Sequence, residues 1–450
     1  MRRLIPVLLG SAMAVMSASA QSFHVQPAQA QAPAQGQAQQ VPSAPTPPLT
    51  LDQARQMALA NHPRFLAAQY GAAAQHNVTT EVRSAYYPVV NSDLTGAESA
   101  PGSRIAAGAL NNPIVYDRFA AGLSVQQLVT DFGRTRNLVS SADLQAKAAD
   151  AEVNFSREDV LLGADRAFYQ ALRAQAVLRV AQQTVDERTV VSQQVTALEQ
   201  SKLKSSLDVS FANVNLSEAQ LLLLQAQNDA QSSLAILSAA LGLSGPHQFE
   251  LVEPELAPTT LPALNDALAS ANQNRPELIS ERLQVESAQK FAVAERDLWM
   301  PTLSLVGAAG EIPYGQAPLP ENYAAAAFDV HIPIFNGKLF NARHSEALNR
   351  ARQASEQLRD VQNSVERDVQ TAWLAANTAY QNLAVTAQLL DEANLALSLA
   401  TARYHLGLSS IVELSQAQLN QAQAAISQAT AKYDYDTRFT ELVYQEGILH

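Results

Sequence analysis

Residues 160–185, VLLGADRAFYQALRAQAVLRVAQQTV, and residues 365–390, VERDVQTAWLAANTAYQNLAVTAQLL, decide how the chain is built. In the first stretch Val160, Ala164, Ala167, Ala171, Ala174, Leu178, Ala181 and Val185 alternate steps of four and three. In the second, Val365, Val369, Ala372, Ala376, Ala379, Leu383, Thr386 and Leu390 do the same, 205 positions later. A step averaging about 3.5 residues is the seam of a coiled coil. The many alanines imply close approach of helix axes.

The prolines mark the limits of these helices. Of the 21, none lies between Pro113 and Pro246 or after Pro333, and a proline inside a helix costs about 3 kcal/mol. Arg134 to Gln200 would extend roughly 100 Å if unbroken. A return helix carries its own series, Ala212, Leu216, Ala219, Leu223, Ala226 and Ala230.

Other landmarks are doubled too. Asn61-His62-Pro63-Arg64 recurs as Asn274-Arg275-Pro276-Glu277, and Tyr87-Pro88 as Met300-Pro301, both at an offset of 213. Asp131-Phe132-Gly133-Arg134 aligns with Phe335-Asn336-Gly337-Lys338 at an offset of 204. Beyond it, Asp208-Val209-Ser210 matches Glu413-Leu414-Ser415 and Gly242 matches Gly447, at 205. The expected organisation is a signal peptide (1–20), a flexible Pro/Gln/Ala-rich arm (21–48), repeat 1 (49–245), a linker (246–262) and repeat 2 (263–450). Each repeat reads as a helix, a strand pair and a long helix pair.

The strands show as period-two segments. Phe119, Ala121, Leu123 and Val125 alternate with Ala120, Gly122, Ser124 and Gln126. Phe328, Val330, Ile332 and Ile334 alternate with Asp329, His331 and Pro333, while Leu303, Leu305, Gly307 and Ala309 oppose Ser304, Val306 and Ala308. Pro88 and Pro301 open strands, and loops around Pro101–Pro113 and Pro313–Asn322 join them. One apolar and one polar face suit a barrel wall between lipid and water. A sheet over a soluble core has the same pattern, but helices this long leave little else for it to cover.

Composition removes most other functions. The chain has 450 residues and no cysteine, so disulfides, thiolate metal sites and cysteine nucleophiles are excluded. A net charge of −12 opposes nucleic-acid binding, which needs a basic stripe. Arg2 and Arg3, the apolar run Leu4–Met16 and Ala18-Ser19-Ala20 have the form of a signal peptide. After it no stretch is apolar enough for a spanning helix, which leaves a soluble exported protein or a closed β-barrel. The eight histidines fall at no metal-ligand spacing, and no phosphate loop or nucleophile elbow occurs. No catalytic residue, metal site or cofactor is expected.

Taken in order, these pieces resemble the TolC-type outer-membrane efflux proteins over nearly the whole chain after the signal. The resemblance rests on the paired Asn-x-Pro-x helix starts, on Tyr87-Pro88 and Met300-Pro301, and on Gln127–Arg134 and Ile332–Gly337. It rests also on Tyr404-x-x-Gly407-x-Ser409-x-x-x-Glu413-Leu414, on Gln416-Ala417-Gln418, and on Tyr444-x-x-Gly447. It implies a mainly α protomer with a small β part. Three copies would close a twelve-stranded barrel, continued by a periplasmic α-helical barrel. The implied protein is a homotrimer in outer-membrane lipid that docks to a periplasmic adaptor and, through it, an inner-membrane pump.

The resemblance also assigns residues. The turns near Gln200–Asp208 and His405–Glu413 would be the periplasmic tips, with Lys202, Ser205, Gly407 and Leu408 as adaptor contacts. In the family an Asp of the first tip bonds to a Tyr and an Arg of the second to hold the pore shut. Asp208 and Tyr404 match, whereas Ser409 stands where the Arg would be. Glu413 matches an acidic pore constriction, whose second carboxylate position is Gln416, so weaker cation preference is expected. Lys202 stands opposite Gly407, a departure from the pattern. Plainer roles are open at the same positions: Asp208 as a helix cap, Tyr404 as an interface residue, Glu413 as first-turn charge and Gly407 as a turn requirement. The implied function is a gated, passive exit duct for small molecules. A type I protein-secretion duct and a pore-free periplasmic coiled-coil protein are the alternatives.

Overall fold

The computed structural model describes residues 48–104, 114–245, 247–257, 260–315 and 319–449. The signal segment, and the arm up to residue 47, lie outside the described residues. Two pairs of very long helices dominate. Helices α1 (Leu51–Asn61) and α2 (Pro63–Arg83) lead to strands β2 (Val89–Ala97) and β3 (Arg118–Thr130), after the short β1 (Pro48–Leu49). Helices α3 (Arg134–Gln200) and α4 (Ser206–Ala240) follow, then the short β4 (Glu250–Leu251). The second half repeats the order with α5 (Leu264–Asn274), α6 (Pro276–Arg296), β5 (Thr302–Gly315), β6 (Asn322–His331), α7 (Leu339–His405) and α8 (Ile411–Gln445).

In the helices the duplication is kept to the residue, whereas the strands of the two halves differ in length. Helices α3 and α7 both have 67 residues and α4 and α8 both have 35, with every boundary displaced by 205. Helices α5 and α6 follow α1 and α2 at 213. The single first helix expected for each repeat is in fact two. Pro63 and Pro276 each take the first helical position of a new helix, and the residues before them, His62 and Arg275, are extended. Proline lacks the N–H that a continuous helix would need there and biases its predecessor away from helix.

The junction of strand and long helix corrects the offset of 204. The consecutive left-handed residues are Phe132–Gly133 before α3 and Gly337–Lys338 before α7, a displacement of 205. Gly133 is therefore the counterpart of Lys338, and Gly337 of Phe132. Each turn needs two residues at positive φ, and one glycine relieves strain at either place.

Part of each expected seam is buried, the rest is half-buried, and the middle of α3 also buries residues off the seam such as Leu161, Phe168 and Leu172. Val160, Ala164, Ala167, Ala171 and Ala181 are buried in α3, and Val365, Val369, Ala376 and Ala379 in α7. In α4, Ala212, Ala219, Ala226 and Ala230 are buried. Where the short helices cross the long pairs, two equivalent cores form. Ala54, Ala58, Val160, Ala164, Ala171 and Leu237 belong to one, and Ala267, Ala271, Val365, Val369, Ala376 and Leu442 to the other. The first core also contains an ion pair, in which Arg55 donates to both oxygens of buried Asp165 at 2.9 and 2.6 Å. Such a pair is tolerated in a core because its charges and hydrogen bonds satisfy one another.

The connection between halves is partly ordered as strand. Pro48 and Leu49 pair in parallel with Glu250 and Leu251, so Pro48 is not part of a flexible arm. Further along, Ala257 N–H donates to Asp436 Oδ1 at 2.9 Å and the Trp373 indole donates to the Pro262 carbonyl at 2.8 Å. These bonds strap the connection against α8 and α7.

The sheet is antiparallel in the order β2-β3-β5-β6. Pro88 and Pro301 immediately precede β2 and β5. Registered neighbours give one face Val90, Leu94, Phe119, Leu123, Val125, Leu305, Phe328 and Val330. The other face carries Asn91, Asp93, Ser124, Gln126, Ser304, Asp329 and His331. On this second face Tyr323 lies over Gly310 and Gly122, and a Cβ at either would overlap its hydroxyl; the glycines make room for the ring.

Two strand limits differ from the expected ones. Ile332 and Ile334 lie beyond β6, because the partner β5 begins at Thr302 and Pro333 has no N–H to offer a ladder. Conversely β5 runs through Pro313 to Gly315, where the register shift opposite Phe119 and Ala121 forms a bulge that spares the proline a ladder bond.

Candidate functional site: the hairpin tips

The far ends of α3–α4 and α7–α8 are two tight turns built alike. Residues 201–205 join the first pair and 406–410 the second. In the second turn Leu408 N–H reaches the Arg403 carbonyl and Gly407 N–H the Tyr404 carbonyl. Leu203 to Leu198 and Lys202 to Glu199 repeat the pattern in the first. This is the Schellman arrangement, which needs a left-handed residue just past the helix. Gly407 supplies it at φ 72° and Lys202 at φ 56°, so the departure in residue type leaves the backbone unchanged.

The return helices also begin alike. Ser205 and Ser410 are the N-caps, accepting from the N–H groups of Asp208 at 3.2 Å and Glu413 at 3.4 Å. Asp208 completes a capping box: its Oδ2 accepts from Ser205 N–H at 3.0 Å and lies 3.1 Å from Ser205 Oγ. The plainer role for Asp208 is thus present in full. No hydrogen bond joins it to Tyr404.

Tyr404 is 3% exposed and its hydroxyl has no partner. Its ring belongs to an apolar cluster with Val195 and Ala212 of the first helix pair and Ala400, Ile411 and Leu414 of the second. Burial, and then the charge of nearby Asp208, push its phenol above the ordinary value, so it stays neutral at physiological pH. Ser409 Oγ is also buried without a partner. The structure therefore brings the Asp208 charge within reach of Tyr404, but no hydrogen bond joins them and the Ser409 hydroxyl bonds to neither.

Glu413 is paired within the protomer, 3.1 Å from Arg403 Nε. Gln416 is exposed and donates to Asn420 Oδ1 at 2.9 Å. Leu203 and Leu408, equivalent by the repeat, are 70% and 67% exposed at the turn apices. Two residues of this region escaped the sequence reading. Arg403 sits at the end of α7, and its pairing depends on how the second turn folds back. Lys204 holds its ammonium 3.9 Å from the Tyr404 ring centroid; its signal was the offset of 205, which makes it the counterpart of Ser409. Among the described residues no group of His, Asp and Glu could hold a metal ion, and no helix is long and apolar enough to cross a membrane.

Comparison with known proteins agrees with this architecture. The model of the family described as outer membrane efflux protein matches residues 54–243 and 267–444. The chain is 22% identical over 354 residues to outer membrane protein TolC of Salmonella enteritidis, covering 75% of this chain and 71% of that protein. It is 23% identical over 320 residues to outer membrane efflux protein BepC of Brucella suis, covering 70% and 68%. Its fold is similar to the crystal structure of CusC, with a TM-score of 0.77 at 17% identity over 88% of this chain and 92% of that one. The protein belongs to the outer membrane efflux protein family, and is an outer-membrane channel protein rather than an enzyme.

Proposed function

We propose that three copies of this chain close a twelve-stranded barrel and form a gated, passive exit duct for small molecules. A periplasmic adaptor and an inner-membrane pump supply cargo and energy. The observation that carries this reading is the four-stranded sheet, mainly apolar on one face and mainly polar on the other, with β2 and β6 as edges among the described residues. Unpaired edges are untenable in lipid, and single-chain barrels start at about eight strands. Identical copies meeting edge to edge, β6 on β2, satisfy both constraints. The tips lie at the other end of helices roughly 100 Å long. There Lys202, Ser205, Gly407 and Leu408 form the adaptor contact, Asp208 and Tyr404 belong to the gate, and Glu413 and Gln416 line the constriction.

The test is reconstitution of the purified protein in planar bilayers, with cross-linking to count copies. Discrete conductance steps from a trimer are expected, together with restored drug tolerance in an efflux-deficient host. Release from membranes by high salt, with no conductance, overturns the reading.

A further inference from the structure

Lys204 is the one charged group set over the buried Tyr404 ring among the described residues, and it comes from the opposite hairpin. It forms no ion pair there, while the neighbouring charges are committed elsewhere. Asp208 is engaged by Ser205, and Glu413 by Arg403. The Tyr404 hydroxyl contacts no donor or acceptor, so the ring face, not the hydroxyl, is what the first hairpin holds. Ser409, the counterpart of Lys204 in the second turn, carries no charge and its hydroxyl is idle.

The loop is built to hold Lys204 in place. On one side the Schellman turn fixes Ser201 to Leu203, with Lys202 in the left-handed region. On the other, the capping box of Ser205 and Asp208 fixes the start of α4. With both neighbours anchored, little chain entropy remains to be lost when the ammonium settles on the ring. A cation over an aromatic face is attracted by the ring quadrupole, more so where water is partly excluded; here Lys204 is half-buried.

We infer that Lys204 on the Tyr404 ring is the tie that holds the two hairpin tips together in the closed state of this channel, with Asp208 positioning Lys204 through the capping box. The tie rests on the channel reading above and names the residue pair that regulates it. Opening then requires the first tip to lift its lysine from the ring before the apolar cluster around Tyr404 can part.

The ring and hydroxyl roles separate experimentally. In planar bilayers, Lys204→Gln and Tyr404→Leu are expected to raise the open probability of the resting channel by about two- to fivefold per protomer. Lys204→Arg and Tyr404→Phe are expected to stay near the parent, since each keeps cation and ring. If Tyr404→Phe leaks as much as Tyr404→Leu, or Lys204→Gln matches the parent, the tie is overturned. Hydrogen exchange of amides 202–205 and 403–409 in the full-length protein tests the same pair without conduction. Faster exchange by a similar factor in Lys204→Gln, but not in Tyr404→Phe, supports the tie, and unchanged exchange overturns it. Absence of conductance in the parent would count against the channel reading alone, leaving the exchange measurement to judge the tie.

Discussion

Arg403 Nε lies 3.1 Å from Glu413 Oε1, joining the last turn of one helix to the first turn of the next. Glu413 thus enters the proposed constriction already balanced by a cation of its own chain. Removing either partner should change ion preference more than stability, because an exposed pair contributes only about 0–1 kcal/mol. Arg403→Gln is expected to shift the reversal potential in a KCl gradient toward cation selectivity, and Glu413→Gln in the opposite direction. Equal reversal potentials for both variants and the parent would place the pair away from the ion path.

Asp208 occupies a different position in the energetics. Its carboxylate serves the Ser205 N–H and helps fix the start of α4. Asp208→Ala should loosen that end by about 1 kcal/mol, seen as faster exchange of the amides at 205–208. Asp208→Asn retains an acceptor and should recover most of the loss.

Gly242 and Gly447 close the two long hairpins against the junctions between short helices. A Cβ at Gly242 would lie 2.7 Å from the Asn61 carbonyl carbon, and one at Gly447 2.7 Å from Arg275 Cα. Both glycines also have positive φ, at 72° and 73°. Alanine at either site should destabilise by about 2–4 kcal/mol, through overlap with backbone and left-handed strain. The check is urea unfolding of each variant, and a shift of under 1 kcal/mol would contradict it.

Glu158 on α3 is 7% exposed, and burial pushes its carboxyl from 4.5 up to about 7 despite Arg275 and Arg157 nearby. Below pH 4.5 the folded and unfolded forms both keep the proton, so no penalty arises. Between 4.5 and 7 the unfolded chain ionises first and stability falls as pH rises. The decline reaches at most about 3 kcal/mol and levels off above the folded value. Glu158→Gln should flatten it, and unfolding midpoints at pH ~5 and ~8, compared with the parent, measure the difference.

Particular residues show what could be known in advance. The seam through Val160 and Val365 is a local period of spacing, and spacing alone fixes which face of a helix is buried. The offset of 205 likewise follows from identical helix lengths, which any landmark on the helices reports. The glycines Gly133 and Gly337 misreport it by one, because either of two left-handed positions accepts a glycine and the sequence does not say which. The split at Pro63 had its signal in the proline itself; the bulge at Pro313 depends on a partner strand and had none.

The sequence by itself determined a duplicated chain of long coiled-coil helices, two strand pairs and two tight turns between long helices, since periodicity, proline placement and capping residues act over a few neighbours. Only the tertiary structure decided the partners at those tips. It set Asp208 on Ser205, Glu413 on Arg403 and Lys204 on Tyr404. The last of these pairings depends on the rotation and axial stagger of one hairpin against the other. Those are set by the summed contacts of two 67-residue helices and their return helices, and a slip of one residue would give every charge at the tip a different neighbour.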